Sequence, residues 1–455
     1  MGSCSPSVTW KRSNLTRPAR VCAPARFPQL TFILSGRYTV RPCNVPITER
    51  RERERAFELL PTTGPFILTL QACRRWVERI SLITVAENLV CPVTQQSLRI
   101  VALEDARARI ADGIPLATRS NGSKQPPIGE TDSVLLREDE TTAYPVRFGV
   151  PVLMAPEALR KTPFEIDLSA HQYAEAYLEM AFYNDIGFKQ ASSLRTSGSL
   201  LAAEDSEALQ HLERLRHCTS SERRGFPAPR ELWLHARMDL QSERECFEHI
   251  GSVKGQRVLQ LGGSGTAALA LLLAGASEGM LLTPMLGEAL FAIEAAKIIG
   301  LTDRFRCFIA VAEEIPLASE SVDVAFSHGC VHHMRTEIAF PGIARVLRPR
   351  GRFAAMEPWR APLYRIGTAV LGKRDANPFC HPMTRARVAP LFDAFREARY
   401  ELHGTLTRYP MIGLQKFGIQ TPIKRAWSIG RADDRVSSVL GLRRFGSGVA
   451  LLACK

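Results

Sequence analysis

Val258-Leu-Gln-Leu-Gly-Gly-Ser-Gly265 is the stretch whose reading decides the fold. Val258 to Leu261 read as a buried strand that runs into a turn with three glycines. An apolar helical run, Ala267 to Ala276, follows at once. Strand, glycine turn and helix in that order bring backbone N–H groups close to a nucleotide-like ligand in an α/β sheet. Glycine suits the turn because a Cβ would hold the ligand away from the main chain. Taken alone, the stretch reads equally well as a tight turn with no ligand.

The downstream segments decide between the two. Gly279 to Thr283 reads as a second strand, ended by Pro284, and a helix from about Glu288 to Ile299 closes at Gly300. Phe305 to Ala310 reads as a third strand and Ser321 to Ser327 as a fourth, with His328-Gly-Cys-Val-His-His-Met334 at its C-terminal end. A helix from Ile338 to Leu347, a turn at Pro349-Arg-Gly351 and a fifth strand, Arg352 to Pro358, follow. Arg399 to His403 and Gly448 to Cys454 read as the last two strands. This alternation predicts an α/β fold with a doubly wound parallel sheet, whose ligands bind outside the carboxyl ends of the strands.

Residues 255–358 resemble the class I S-adenosylmethionine-dependent methyltransferases, in the branch that includes the ubiquinone and menaquinone biosynthesis enzymes. The resemblance rests on three motifs in order: Val258 to Gly265; Ala312-Glu-Glu-Ile-Pro-Leu317 through Ser327 to Val331-His-His333; and Arg345-Val-Leu-Arg-Pro-Arg-Gly351. It implies a Rossmann-like seven-stranded sheet, with the seventh strand antiparallel between the fifth and sixth. It also implies S-adenosyl-L-methionine as cofactor, held around Gln260, Gly262, Gly263, Ser264, Gly265, Thr283, Ala312, Glu313 and Ser327. The family usually has acids at three cofactor positions that here read Gln260, Thr283 and Val311. A neutral hydroxyl at Thr283 makes a weaker acceptor for ribose than a carboxylate, and Val311 has no hydrogen bond to offer adenine. Glu288 and Glu313 lie nearby in sequence as substitutes.

Methyl transfer from a sulfonium is an in-line displacement. It needs proximity and orientation, and a base only where the nucleophile must lose a proton. His332, His333 and Glu357, at strand ends, are the candidate catalytic residues. Cys330 with the two histidines suggests a metal, but consecutive residues at a strand end point to opposite faces, so no metal is expected. Packing at the pocket wall is the other role open to the pair. Trp359, Tyr364, His381 and Tyr409 fall in a Pro-interrupted insert, about 359–396, and beyond it, on the expected substrate side. Gly372-Lys-Arg374 lacks the glycine frame of a phosphate loop.

The chain ahead of this module divides in three. Residues 1–80 hold 14 Lys and Arg against 5 Asp and Glu, and the remaining residues hold 45 against 41. The net charge of +13 is thus mostly N-terminal and does not by itself favour a nucleic-acid partner. The segment reads as a basic tail; a transit peptide has similar composition, and an upstream start accounts for it as well. Residues 84–156 hold short β-rich pieces with Pro and Gly turns, which suggest a small β domain. Leu89, Cys91, Pro92 and Leu98, then Tyr144-Pro-Val146 and Gly149-Val-Pro-Val-Leu153, resemble the small activator-subunit family that partners tRNA, rRNA and release-factor methyltransferases. One cysteine, Cys91, is too few for zinc and reads as a buried small hydrophobe. Residues 157–250 read as a helical connector, with helical spacing at Ala170–Tyr183, Glu204–Leu215 and Glu231–Ile250. Tyr173, Tyr177, Phe182 and Tyr183 form an aromatic stripe that either packs on the next domain or caps a cofactor pocket.

Eleven cysteines without paired spacing and no long apolar run fit a reducing, cytoplasmic setting without a membrane span. The expected function is methyl transfer to a small-molecule acceptor. Two alternatives stay open: an RNA or protein substrate of the translation apparatus, and a non-catalytic methyltransferase-like binding or scaffold protein.

Overall fold

The computed structural model describes residues 88–110, 114–115, 133–161, 166–202, 207–218, 235–236, 239–362, 379–419 and 421–455. All lie in one compact unit, Ile67–Lys455. The basic segment 1–80, the polar loop 119–132, the stretch 223–229, Tyr364 and Gly372–Arg374 lie outside the described residues.

A small sheet comes first. Its strands are β1 (Leu98–Ala102), β2 (Ile114–Pro115), β3 (Ser133–Arg137), β4 (Thr142–Arg147), β5 (Val150–Pro151) and β6 (Leu159–Arg160), with α1 (Leu103–Ile110) after β1. The order is β1-β3-β4-β6-β2, with β5 on β4, and the pairings are antiparallel. Cys91 is wholly buried, with Sγ 3.2 Å from Tyr144 Oη.

Among the described residues, three helices connect the sheets: α2 (His171–Ser197), α3 (Glu207–His217) and α4 (Leu240–Ile250). α2 is one 27-residue helix, ended by Gly198 in the left-handed conformation (φ 64°). Of the helix expected from Glu231, the described part is α4. α4 starts after Asp239, and the buried Glu243 carboxylate accepts the N–H groups of His235 (2.9 Å) and Ala236 (3.0 Å), which are not helical.

The central sheet has the order β12-β13-β11-β10-β7-β8-β9. Its members are β7 (Arg257–Leu261), β8 (Glu278–Thr283), β9 (Phe305–Ile309), β10 (Val322–His328), β11 (Leu347–Pro358), β12 (Glu397–His403) and β13 (Gly448–Cys454). β7 to β11 pair in parallel, and β13 lies antiparallel between β11 and β12. The turn expected at Pro349–Gly351 is absorbed into β11, with Arg350 at φ 65°. α5 (Thr266–Leu273), α6 (Leu286–Ile298), α7 (Thr336–Val346), α8 (Arg385–Ala394), α9 (Arg408–Lys416) and α10 (Ile423–Val439) complete the unit.

Alternate residues of a strand face opposite sides, and the two cores follow from that. Val258 and Leu281 join one core with α2 to α6, whereas Leu259, Leu261 and Leu282 join the other with α7, α8 and the small sheet. Leu89, Leu135 and Tyr144 of the N-terminal part share that second core with Phe308 and Phe340. Backbone bonds from Leu153 N–H to Ile309 O (2.7 Å) and from Val90 N–H to Pro316 O (3.1 Å) tie the sheets together. A buried pair, Arg147 Nη2 to Glu157 Oε2 at 2.9 Å, accepts a further bond from Tyr177 Oη on α2 to Glu157 Oε1, also 2.9 Å.

Glycine brings α2 against α6. A Cβ on Gly187 would lie 2.4 Å from the carbonyl carbon of Gly287, and one on Gly287 would lie 2.2 Å from Asn184 O. Asn184 Oδ1 also accepts the Gly287 N–H at 2.9 Å. That crossing holds α2 over the C-terminal ends of the central strands.

Candidate active site

A cavity of about 300 Å³ opens there, between the glycine turn, the ends of β8 and β10, and α2. Gly262 and Gly263 adopt left-handed backbone (φ 73° and 72°) and line it. A Cβ on Gly262 would lie 2.7 Å from Cys330 Sγ, so only glycine keeps this wall open. Gln260 sits beneath the turn. Its Nε2 donates to Gly262 O and its Oε1 accepts from Ala268 N–H, both at 2.8 Å. The amide thereby fixes the loop to the start of α5 and does not line the cavity.

Thr283 is also absent from the cavity wall; its hydroxyl donates to Glu288 Oε2 at 3.0 Å, and Glu288 lines the cavity. Burial pushes the Glu288 carboxyl up to about 7, eased by Thr283 and reinforced by Glu179. Glu313 lines the next stretch of wall beside Val311 and Ala312, and its Oε1 accepts Arg335 N–H at 2.7 Å. Burial pushes this carboxyl up to about 7 as well. Ser264 contacts Thr266 (Oγ to Oγ1, 3.3 Å). A Cβ on Gly265 would meet Ala292 at 2.7 Å. Ser327 is buried and donates to Leu261 O at 3.1 Å, joining β10 to β7.

The two histidines differ from the sequence expectation. They do not stand on opposite faces, because Val331–His333 form a 3-10 turn rather than a strand end, and their ring centroids are 4.1 Å apart. Each is held through Nδ1 by a carboxylate. His332 Nδ1 lies 2.7 Å from Glu357 Oε2, and Glu357 also accepts the N–H groups of Cys330 (3.0 Å) and Val331 (2.9 Å). Burial alone would raise the Glu357 carboxyl. The bond to His332 and the backbone donors outweigh it and hold the group below its usual range.

His333 lines the cavity, with Nδ1 bonded to Glu175 and 3.8 Å from Glu179 Oε1. Burial pulls its pKa down, but the Glu175 bond and the Glu179 charge more than offset that and raise it above the usual value. The sequence signal around α2 was its aromatic stripe: Tyr173 and Tyr177 are buried, and Tyr183 reaches the cavity. Glu175 and Glu179, one turn apart on the same helix, line the cavity too. Their i, i+4 spacing was the available signal for a shared helix face. His328, another lining residue, packs edge-on against His235 (5.9 Å between centroids), whose Nδ1 lies 2.7 Å from Glu243 Oε1. Trp359 stacks on Tyr400 (5.3 Å) and, with His381 and Tyr409, does not line the cavity.

Residues 262–355 match the model of a methyltransferase domain. Over these residues the chain is similar to methyltransferase domains. No curated protein matches the sequence. Among solved structures, the [4+2]-cyclase SpnF is 21% identical, with 48% of this chain and 81% of that one covered and a TM-score of 0.35. Geranyl diphosphate C-methyltransferase from Streptomyces coelicolor A3(2) is 16% identical over 47% and 78%, TM-score 0.36. Haemonchus contortus phosphoethanolamine N-methyltransferase 2 is 18% identical over 47% and 52%, TM-score 0.34. Likenesses at this level carry no conclusion about substrate.

The methyltransferase domain's wall fits its cofactor. It offers backbone that a Cβ would block at Gly262, a carboxyl at the end of β8 through Glu288, and an apolar face with an acid at Val311 and Glu313. No Lys or Arg lines the cavity among the described residues, which suits a ligand carrying positive charge. No helix of the described residues is long and apolar enough to cross a membrane.

Proposed function

We propose that this chain transfers a methyl group from S-adenosylmethionine to a small-molecule acceptor bound beneath α2. The observation that carries the reading is the cavity itself: small, covered by one helix, and bounded by the glycine turn on one side and His333 on the other. The cofactor would fill much of a cavity of about 300 Å³, so an acceptor beside His333 must be compact. A long RNA strand would ask instead for a basic groove.

S-adenosylmethionine, when bound, supplies a methyl carbon made electrophilic by its sulfonium. The chain's residues do the rest. Gly262 and Gly263 let the main chain approach the ligand. Glu288 takes the place of the usual acid at the end of β8 as acceptor for the ribose hydroxyls, and Thr283 orients it. Val311 and Glu313 bound the adenine. Glu357 fixes the turn that carries both histidines by accepting its backbone N–H groups. With Nδ1 committed to Glu175, a neutral His333 carries its lone pair on Nε2 and takes a proton there. α2 excludes water from the reacting atoms.

The test offers S-adenosylmethionine with a labelled methyl group to the full-length protein and a cell extract. Label is expected in the small-molecule fraction. Label confined to RNA or protein would contradict the reading.

A further inference from the structure

The charges on the cavity wall are unbalanced in one direction. Glu175, Glu179, Glu288 and Glu313 line it with His328 and His333, and among the described residues no Lys or Arg does. The acids fall in two groups. Glu288 and Glu313 follow β8 and β9, on the side assigned above to ribose and adenine. Glu175 and Glu179 come from α2 and converge on His333, with donor atoms of all three within 4.8 Å of one another. They are well removed from water: the side chains of Glu175, Glu179 and His333 are 7%, 16% and 25% exposed.

We infer that the methyl acceptor is an amine that enters as its ammonium form, held by Glu175 and Glu179 and deprotonated by His333. This rests on the function proposed above and adds the acceptor's class. Two partly buried carboxylates next to one imidazole favour a cation, and they disfavour a phosphate or carboxylate, which would face like charge in a low-dielectric setting. An ammonium is not a nucleophile until it loses a proton, so a base beside it is required. The step balances. The ammonium gives one N–H proton to His333 Nε2, and the resulting imidazolium is stabilised by Glu175 and Glu179. The nitrogen lone pair then forms the N–C bond as the C–S bond breaks, and that bond's electron pair stays on sulfur. The methylated amine leaves as an ammonium, and His333 returns its proton to water.

Calorimetry on the full-length protein, first loaded with S-adenosylhomocysteine, compares 3,3-dimethylbutylamine with 3,3-dimethylbutan-1-ol, which share a carbon skeleton. The amine is expected to bind about tenfold or more tighter, as a charge-assisted bond in a shielded site allows. The E175Q/E179Q variant is expected to lose that preference while still binding S-adenosylhomocysteine, which shows that it folds. Equal affinities, or no binding of the amine to a protein that binds S-adenosylhomocysteine, would overturn the acceptor class and leave the cofactor reading intact. Failure to bind S-adenosylhomocysteine would instead overturn the proposed function and this inference with it. Stoichiometric Mn²⁺ binding lost in E175Q/E179Q, with no amine preference, would reassign the cluster to a metal.

Discussion

In the proposed site, Glu288 is the residue on which cofactor recognition would turn. Its carboxyl is raised to about 7 by burial, with Thr283 donating to it from β8 and Glu179 facing it from α2. An acid with a raised folded-state pKa stabilises the fold below its unfolded value and loses that contribution as pH rises through about 7. The ionised form is the better acceptor for ribose hydroxyls. S-adenosylhomocysteine affinity is therefore expected to rise with pH through about 7, and E288Q to flatten much of that rise, with Glu313 supplying the remainder. A titration series by calorimetry checks it; an unchanged profile in E288Q would remove Glu288 from the site. Glu357 has the opposite sign. Its folded pKa is lowered, so its contribution is present above the unfolded carboxylate value and is lost as pH falls through the folded one. Replacing it with Gln breaks a buried carboxylate–imidazole pair, and chemical denaturation is expected to show a loss of about 3 kcal/mol near neutral pH. At this scale the glycines and Glu313 were legible, because their motif spacing is local. Glu288 was legible only as a neighbour of Thr283; the hydroxyl that joins them is a fact of side-chain direction. Glu175 and Glu179 were not legible, because the aromatic residues interleaved with them carried the stronger pattern.

Among the elements, α2 joins the cavity to the rest of the molecule. Its first half, to Tyr183, was clear in sequence, and so was each strand of the central sheet; its continuation to Ser197 was not. Its seat was not, because Gly187 and Gly287 are far apart in the chain and neither signals the other. Gly287→Ala puts a methyl group against the backbone of α2, where nothing flexible can yield. A cost of about 1–3 kcal/mol is expected, with weaker S-adenosylhomocysteine binding because α2 lifts from the cavity. Gly413→Ala is the control: nothing lies within 4 Å of its Cβ position. Equal stability of the two variants would mean that the α2–α6 contact is looser than described. The 3-10 turn at Val331–His333 teaches the same lesson in reverse. Strand logic set the histidines apart, and the Glu357 carboxylate, remote in sequence, gathers the turn and brings the rings together.

For the whole molecule, the small-sheet part shares both cores with the central sheet and is tied to it by backbone bonds at Leu153–Ile309, Val90–Pro316 and Ala318–Asn88. The small sheet was readable as a separate β-rich region from its turns, but its union with the larger sheet was not, since Val152 and Ile309 meet only in three dimensions. Arg147→Met leaves Glu157 buried without its ion-pair partner. Denaturation is expected to show a loss of about 3–5 kcal/mol in a single transition. Two separate transitions would mean that the sheets fold independently. The central claim is that the space between the glycine turn and α2 is the S-adenosylmethionine site, despite Gln260, Thr283 and Val311 standing where acids are usual. Calorimetry of the full-length protein with S-adenosylmethionine and S-adenosylhomocysteine tests it most directly. Saturable binding of both, abolished by Gly262→Val, is the predicted result. No binding of either, or undiminished binding by a folded Gly262→Val protein, would contradict it.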